Sequence, residues 1–385
     1  MYQIHTMNKI SPVGLDHFDR HKYSWGEEVA NPDGILVRSA SLHDMAFPES
    51  LLAIGRAGAG VNNIPVEQCS EKGIVVFNTP GANANAVKEM VLLGLLMSSR
   101  KVADSMTWVK TLKGNGPEVG KLVEKGKSQF TGPEISGKKL GVIGLGAIGV
   151  LVANAAQALG MEVYGYDPYL SVDGAWSLSH TIIHVNTLKE IYENCDYITL
   201  HIPANKETKG LINASSIASM KHGVRILNFA RGELVEEADL IAALDERQVK
   251  VYITDFPTDG MLDHPGVVSF PHLGASTPES EENCAEMAVL ELMDYLENGN
   301  IKNSVNLPAA SMPRSGSARI CVIHQNIKTI ISQISTSLSE LNIENMLNQS
   351  RGDYAYTMLD VDGNVSSDVA EKLRSISGVI RVRVI

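Results

Sequence analysis

Short runs of β-branched and apolar residues alternate with longer stretches of helical period from Ile35 to Pro271, and this alternation restricts the fold more than any other feature. Strand-like runs fall at Ile35–Arg38, Leu51–Gly55, Ile74–Phe77, Leu140–Gly144, Glu162–Tyr166, Tyr197–Ile202, Arg225–Ala230, Val251–Phe256 and Val267–Pro271, with a weaker one at Gln3–Thr6. Helical patterns cover Asn85–Leu112, Ala147–Leu159, Leu188–Asn194, Glu236–Arg247 and Thr277–Leu296. A strand without a polar face, followed by a helix and another such strand, predicts a parallel sheet covered on both sides. The expected class is α/β, with two doubly wound parallel-sheet domains. Residues 303–317 (NSVNLPAASMPRSGS) shift to Pro, Ser, Ala and Gly and read as a linker. Beyond them Arg319–His324, Asn326–Leu341, Asn345–Ser350, Tyr354–Val361, Ser366–Ser377 and Val379–Ile385 predict a ferredoxin-like βαββαβ unit.

A length of 385 residues accommodates two or three domains. We expect residues 1–88 with 284–302 to form one, 89–283 a second and 318–385 a third. The balance of 33 basic against 44 acidic residues gives a net charge of −11, which repels a phosphate backbone and argues against nucleic-acid binding. An anionic substrate would therefore need a local concentration of arginine. Cys69, Cys195, Cys284 and Cys321 are scattered without a CxxC pair, as expected for reduced thiols that hold no metal. The N-terminus lacks a secretory pattern, and apolar runs such as Met90–Met97 fall far short of the ~20 residues that span a bilayer. A soluble, cytoplasmic protein without membrane partners is expected.

Gly144-Leu-Gly146-Ala-Ile-Gly149 stands directly after one strand-like run and opens the next helix. Gly144 permits a tight turn, Gly146 lets backbone approach a pyrophosphate, and Gly149 allows close helix–strand packing. The following strand ends in Asp167, where a carboxylate accepts from a ribose 2′-OH and repels a 2′-phosphate. A Rossmann site for NAD, in preference to NADP, is predicted.

Three later strand ends carry groups capable of chemistry. Asn228-Phe-Ala-Arg231-Gly, Thr254-Asp255-Phe-Pro-Thr-Asp259 and Pro271-His272-Leu-Gly274 should converge on the nicotinamide, because ligands bind beyond the carboxyl ends of such strands. His272 suits the base that takes a hydroxyl proton. Arg231 suits a bidentate carboxylate clamp. Asp259 is the first candidate for the carboxylate behind the imidazole, with Asp255 the alternative.

The phrases GVIGLGAIG (141–149), LHIPANKETKGLI (200–212), ILNFARGELVEEADL (226–240) and PHLGAST (271–277) together resemble the D-isomer-specific 2-hydroxyacid dehydrogenases, in the form carrying a C-terminal ACT domain. The resemblance implies Arg231, Asp259 and His272 as the catalytic set, with Asp259 in the place of a family Glu and Asp255 one place from an Asp that holds the nicotinamide amide. It adds Ala147, Ile148, His201, Pro203, Thr208, Ala230 and Gly274 to the cofactor contacts. It places Arg38 and Ser39 on a substrate phosphate. Gly58, Ala59, Gly60 and Val61 would offer N–H groups to the substrate carboxylate, with Arg56 and Asn83 nearby. The implied reaction is NAD-dependent oxidation of D-3-phosphoglycerate to 3-phosphohydroxypyruvate, the first step of L-serine biosynthesis, in a homodimer or homotetramer. Another D-2-hydroxy acid, or NAD(H) sensing without catalysis, are the competing readings. In the tail, His324, Asn326 and Asn342 stand where a serine effector would bind. Ile327-Lys328-Thr329 replaces the family's Pro-Gly turn there, and β-branched residues resist the backbone freedom that glycine supplies.

Overall fold

Five strands open the chain: β1 (Tyr2–Met7), β2 (Tyr23–Gly26), β3 (Gly34–Val37), β4 (Ala53–Arg56) and β5 (Val75–Phe77). They form an all-parallel sheet in the order β2-β1-β3-β4-β5. Every residue of β3 is buried, so its sequence GILV shows no alternation. The edge strand β2, half-buried and centred on Ser24-Trp25, carries no such run and is invisible to the hydrophobic pattern. The helix Pro278–Asn298 packs on this sheet through Ala288, Leu292 and Tyr295. Its approach depends on glycine: a Cβ at Gly34 would lie 3.0 Å from Leu292, and one at Gly55 would lie 3.2 Å from the Ala288 carbonyl.

The computed structural model describes residues 1–385 and divides them into two compact units, Met1–Asn83 with Pro278–Ile385, and Ala84–Thr277. The second unit contains β6 (Lys139–Ile143), β7 (Glu162–Tyr166), β8 (Ile183–His184), β9 (Tyr197–Leu200), β10 (Val224–Asn228), β11 (Val249–Thr254) and β12 (Val267–Ser269). The order β12-β11-β10-β9-β6-β7-β8 is wholly parallel and reverses direction of growth between β6 and β9. That reversal is the switch point at which doubly wound sheets bind nucleotides. The α/β class with parallel sheets is thus as expected.

The helix expected over Asn85–Leu112 is instead two, Ala84–Ser99 and Val102–Thr111. Ser98 and Ser99 both turn their hydroxyls back onto the Leu95 carbonyl, which weakens the helical ladder. Arg225 then takes the Ser98 carbonyl at 2.9 Å, and Gly132 packs so closely on the Ser99 carbonyl that a Cβ would sit 1.9 Å away. The stretch after Lys113 also folds into short helices, including Val119–Gly126.

Four antiparallel strands complete the first unit: β13 (Ala318–Gln325), β14 (Asn342–Arg351), β15 (Tyr354–Asp362) and β16 (Val379–Val384). Their order, β14-β15-β13-β16, with helices Ile330–Ser337 and Ser367–Arg374, is the ferredoxin-like βαββαβ arrangement. Thr329 does adopt a left-handed backbone, φ +67°, despite its branched side chain. Residues 303–317 are tied down, because Asn306 is buried and bonds Ile74 and Val76 while Leu307 and Ala310 enter the core. That core is continuous from Ile4 and Leu36 through Tyr295 to Cys321, Ile323 and Tyr356. No helix is long and apolar enough to cross a membrane.

Candidate active site

Each glycine of the β6 loop has a separate physical requirement. Gly144 has φ +93°, and a Cβ there would lie 2.5 Å from the His201 carbonyl. A Cβ on Gly149 would lie 1.9 Å from the Gly144 carbonyl. Gly146, by contrast, faces open space, as a residue approached by a ligand should. The helix after it starts with Val150 N–H bonded to the Gly146 carbonyl at 3.0 Å, which leaves the N–H groups of Ala147, Ile148 and Gly149 at its positive end. Asp167 directly follows β7, with Oδ2 accepting from Leu145 N–H at 2.8 Å and Oδ1 from Tyr169 N–H at 2.8 Å. Its carboxylate is thereby fixed against the glycine loop. These groups suit a dinucleotide: an anion-binding helix end, a bare backbone and a ribose acid.

At the end of β9, burial lowers the His201 imidazole to about 3, so the ring is neutral, and it bonds Thr199 at 3.0 Å. The Thr208 hydroxyl donates to the Pro203 carbonyl at 2.6 Å and closes this loop.

Asn228, at the end of β10, is fully buried and organises the next loop. Its Oδ1 accepts from the N–H groups of Ala230 and Arg231 at 3.1 and 3.2 Å, while Nδ2 donates to the Arg231 carbonyl at 2.8 Å. The exposed Arg231 guanidinium bonds the Ala230 carbonyl at 2.6 Å. Beyond β12 the exposed His272 ring lies 4.7 Å from that of Phe256. Two residues on, Gly274 N–H donates to Asp255 Oδ2 at 3.1 Å. Asp255 is only 1% exposed, and its Oδ1 is buried without a partner. Burial pushes its carboxyl up, opposed by the Gly274 N–H and by the charges of His272 and Arg231. Asp259 sits exposed at the start of a single 3₁₀ turn and makes no side-chain hydrogen bond.

The first unit carries a second group of candidates. Gly58 has φ +147° and lies beneath the Arg56 side chain, since a Cβ there would meet Arg56 Nη1 at 1.5 Å. Asn78 Nδ2 holds the Ala59 carbonyl at 2.7 Å, and Thr79 N–H holds the Gly58 carbonyl at 3.1 Å. The N–H groups of Ala59, Gly60 and Val61 donate to no protein acceptor, so the loop offers an anion-binding concavity. Arg38 Nη2 bonds Glu281 Oε1 at 2.6 Å. Ser39 and Ala40 N–H groups both donate to Asn8 Oδ1, at 3.1 and 2.7 Å. Asn83 is half-buried immediately before the helix Ala84–Ser99.

Sequence reasoning missed Asn8, Asn78 and Glu281. Asn8 has φ +66°, a conformation Asn tolerates, which is a weak signal at a strand end. The Arg38–Glu281 pair spans 243 positions and has no local signal.

The three effector candidates do not meet within one chain. His324 is buried, with Nδ1 on the Gln325 carbonyl and Nε2 on Thr357, both at 2.8 Å. Asn326 bonds Gly352 at one end of β15, whereas Asn342 pairs with Asp362 at the other. Nearly all of that nine-residue strand separates them, roughly 25–30 Å.

Comparison with known proteins matches residues 92–274 to the family described as "D-isomer specific 2-hydroxyacid dehydrogenase, NAD binding domain". The D-3-phosphoglycerate dehydrogenase of Haemophilus influenzae is 32% identical over 87% of this chain and 81% of its own length. That of Bacillus subtilis is 35% identical over 82% of this chain. The chain spans only 58% of the Bacillus protein and 52% of the human one. Among solved structures, an NAD+-bound 3-phosphoglycerate dehydrogenase from Entamoeba histolytica superposes with a TM-score of 0.60 at 26% identity, covering 79% of this chain and 98% of that one. With the glycine loop, Asp167 and the Arg231 and His272 loops placed as described, the chain belongs to the D-isomer specific 2-hydroxyacid dehydrogenases, and its cofactor is NAD.

Proposed function

We propose that this chain oxidises D-3-phosphoglycerate to 3-phosphohydroxypyruvate, the entry to L-serine synthesis. The observation that carries this reading is an arginine and a histidine on loops at the C-terminal edge of one nucleotide-binding sheet: Arg231, whose backbone N–H Asn228 holds, and His272, which packs against Phe256. Bound NAD supplies the hydride acceptor. His272 takes the proton of the substrate hydroxyl as the C2 hydrogen leaves with its electron pair. Arg231 holds the carboxylate and polarises the developing carbonyl. The Gly58–Val61 loop adds backbone N–H groups to the carboxylate, and Arg38 with Ser39 anchors the phosphate. Binding at that remote end orients the reacting carbon. Two curated relatives that carry this name, from different bacteria, support the choice of substrate.

The C-terminal βαββαβ unit acts in this reading as an ACT-type regulatory domain. Its serine ligands would come from two copies of the chain, so a cytoplasmic homo-oligomer is part of the proposal.

One observation favours a second reading, an unphosphorylated D-2-hydroxy acid, because Arg38 already pairs with Glu281. Steady-state kinetics with D-3-phosphoglycerate, D-glycerate and D-lactate decide between them. Arg38→Ala should raise KM for phosphoglycerate at least tenfold, about 1.4 kcal/mol in binding, and leave glycerate within about twofold. Equal effects on both substrates would transfer the assignment to the second reading.

A further inference from the structure

We propose that His43 is a positioning residue that sets the distance between the two anion-binding loops of the first unit, and so the length of the phosphorylated acid that fits across them. The inference rests on the reading of these loops as the phosphate and carboxylate sites of the proposed substrate.

The two loops leave adjacent strands. β3 and β4 pair in parallel with Val37 opposite Arg56, and a last bond runs from Ala57 N–H to the Val37 carbonyl at 2.8 Å. Beyond it neither segment is in a strand, and three bonds rejoin them further along. Leu42 N–H donates to the Asn63 carbonyl at 2.8 Å, Asn63 Nδ2 to the Ala40 carbonyl at 2.8 Å, and His43 Nε2 to the Asn62 carbonyl at 2.9 Å. A carbonyl only accepts, so the imidazole carries a hydrogen on Nε2. Two arcs closed at both ends result. One carries Arg38 and Ser39, and Asn8 holds it through the N–H groups of Ser39 and Ala40. The other carries the N–H groups of Ala59, Gly60 and Val61, which no protein acceptor takes.

The three closing bonds are not equivalent. Leu42 is fully buried in one core cluster with Val37 and Ile64, so its bond follows from the packing of the strands. Asn63 is half-buried and serves both segments at once. His43 is exposed, and it holds the residue directly after Val61. Its bond is therefore the one that a side-chain replacement removes without opening the core. An anion gripped by both arcs has its two charged ends at the spacing this closure dictates. A preorganised spacing selects among ligands of different length, because displacement by about 1 Å already forfeits much of the gain from orientation. An acid without a phosphate engages the second arc alone and does not sense the spacing.

Steady-state kinetics of wild type, His43→Ala and His43→Gln should compare D-3-phosphoglycerate, D-glycerate and the homologue one carbon longer, 4-phospho-D-erythronate. We expect His43→Ala to raise KM for phosphoglycerate about five- to tenfold, with kcat within about twofold and KM for glycerate within about twofold. The preference for the shorter phosphorylated acid over the longer one should fall by about fivefold or more. His43→Gln, whose side-chain amide donates from nearly the same place, should restore most of both. Equal changes for phosphoglycerate and glycerate, an unchanged length preference, or a glutamine variant no better than the alanine variant overturn the proposal. NMR relaxation of the Gly60 amide in the full chain without substrate supplies a second readout. His43→Ala should lower its order parameter and His43→Gln should recover it, and an unmoved value also overturns the proposal. If the wild-type chain oxidises none of the three acids, the functional reading fails, while the Gly60 amide still decides whether His43 fastens the loops together.

Discussion

Single side chains and single missing side chains set the nucleotide site. Gly149 is the sharpest case: a methyl group there would collide with the Gly144 carbonyl, which the loop cannot move without losing its turn. Gly149→Ala should therefore reduce NAD affinity at least tenfold with the chain still folded, as measured by calorimetric titration and circular dichroism. Asp167→Ala should do something different. It removes the group that repels a 2′-phosphate, so the ratio of NAD to NADP efficiency should fall by an order of magnitude or more. An unchanged ratio would assign cofactor choice to another residue. The glycines and Asp167 were legible because a motif with fixed spacing has a fixed mechanical purpose. The contrast between the buried Asp255 and the exposed Asp259 was not legible, since spacing alone does not mark burial. The side chains that hold loops in place, Asn8 and Asn78, were missed for a related reason: their partners are backbone atoms that no pattern marks.

At the level of helices and strands, the alternating pattern located nearly every core element, since a fully buried strand has to be apolar. It failed where tertiary contacts override the local signal. The break after Ser99 depends on Arg225 and Gly132, both remote in sequence. Thr329 pays for its left-handed turn with strain, of order 1–3 kcal/mol, that only the surrounding fold can impose. The helix Pro278–Asn298 carries a titratable feature of its own. Glu291 is 8% exposed, takes a 2.6 Å bond from Asn303 on Oε1, leaves Oε2 unpaired, and is pushed up to about 7 by burial. A carboxyl with a raised value stabilises the folded state below its unfolded value of 4.5, and the contribution is lost as pH rises to about 7. The loss is of order 3 kcal/mol, from the difference between the two values. Glu291→Gln should flatten this part of the stability profile and raise the unfolding midpoint at pH 8 relative to wild type, read by urea denaturation. Identical pH profiles for the two proteins would exclude Glu291 as the source.

For the chain as a whole, the net charge of −11 opposes any anion, so under the proposed function Arg38 and Arg56, at the ends of the adjacent strands β3 and β4, have to act locally against that field. The C-terminal sheet is equally consequential. Arg319 and Asp360, both without exposed side-chain surface, pair at 2.6 Å, and Arg319 also reaches the Asn298 and Pro313 carbonyls at 2.8 Å. Arg383 donates to the Tyr295 and Leu296 carbonyls at 3.1 and 2.8 Å, and Arg381 to those of Leu51 and Lys72 at 2.7 and 3.0 Å. Arg319→Ala should cost about 3–5 kcal/mol by stranding a buried carboxylate. Deleting residues 318–385 should leave a chain that binds a hydrophobic dye or aggregates, because Tyr295 and Leu296 would lose their cover. A soluble, cooperatively folding truncation would show that the core is divisible. Composition reads residues 303–317 as a linker before this sheet, and within it Asn306, Leu307 and Ala310 are buried, packing that Pro- and Ser-rich composition does not mark.

The shared core between the opening strands and the tail also limits what recombination can do with this gene product. A tail without guanidinium groups at positions 381 and 383 would leave the carbonyls of Leu51, Lys72, Tyr295 and Leu296 without those donors. Chimaeras should therefore fold best when residues 1–83 and 278–385 are inherited as a matched pair.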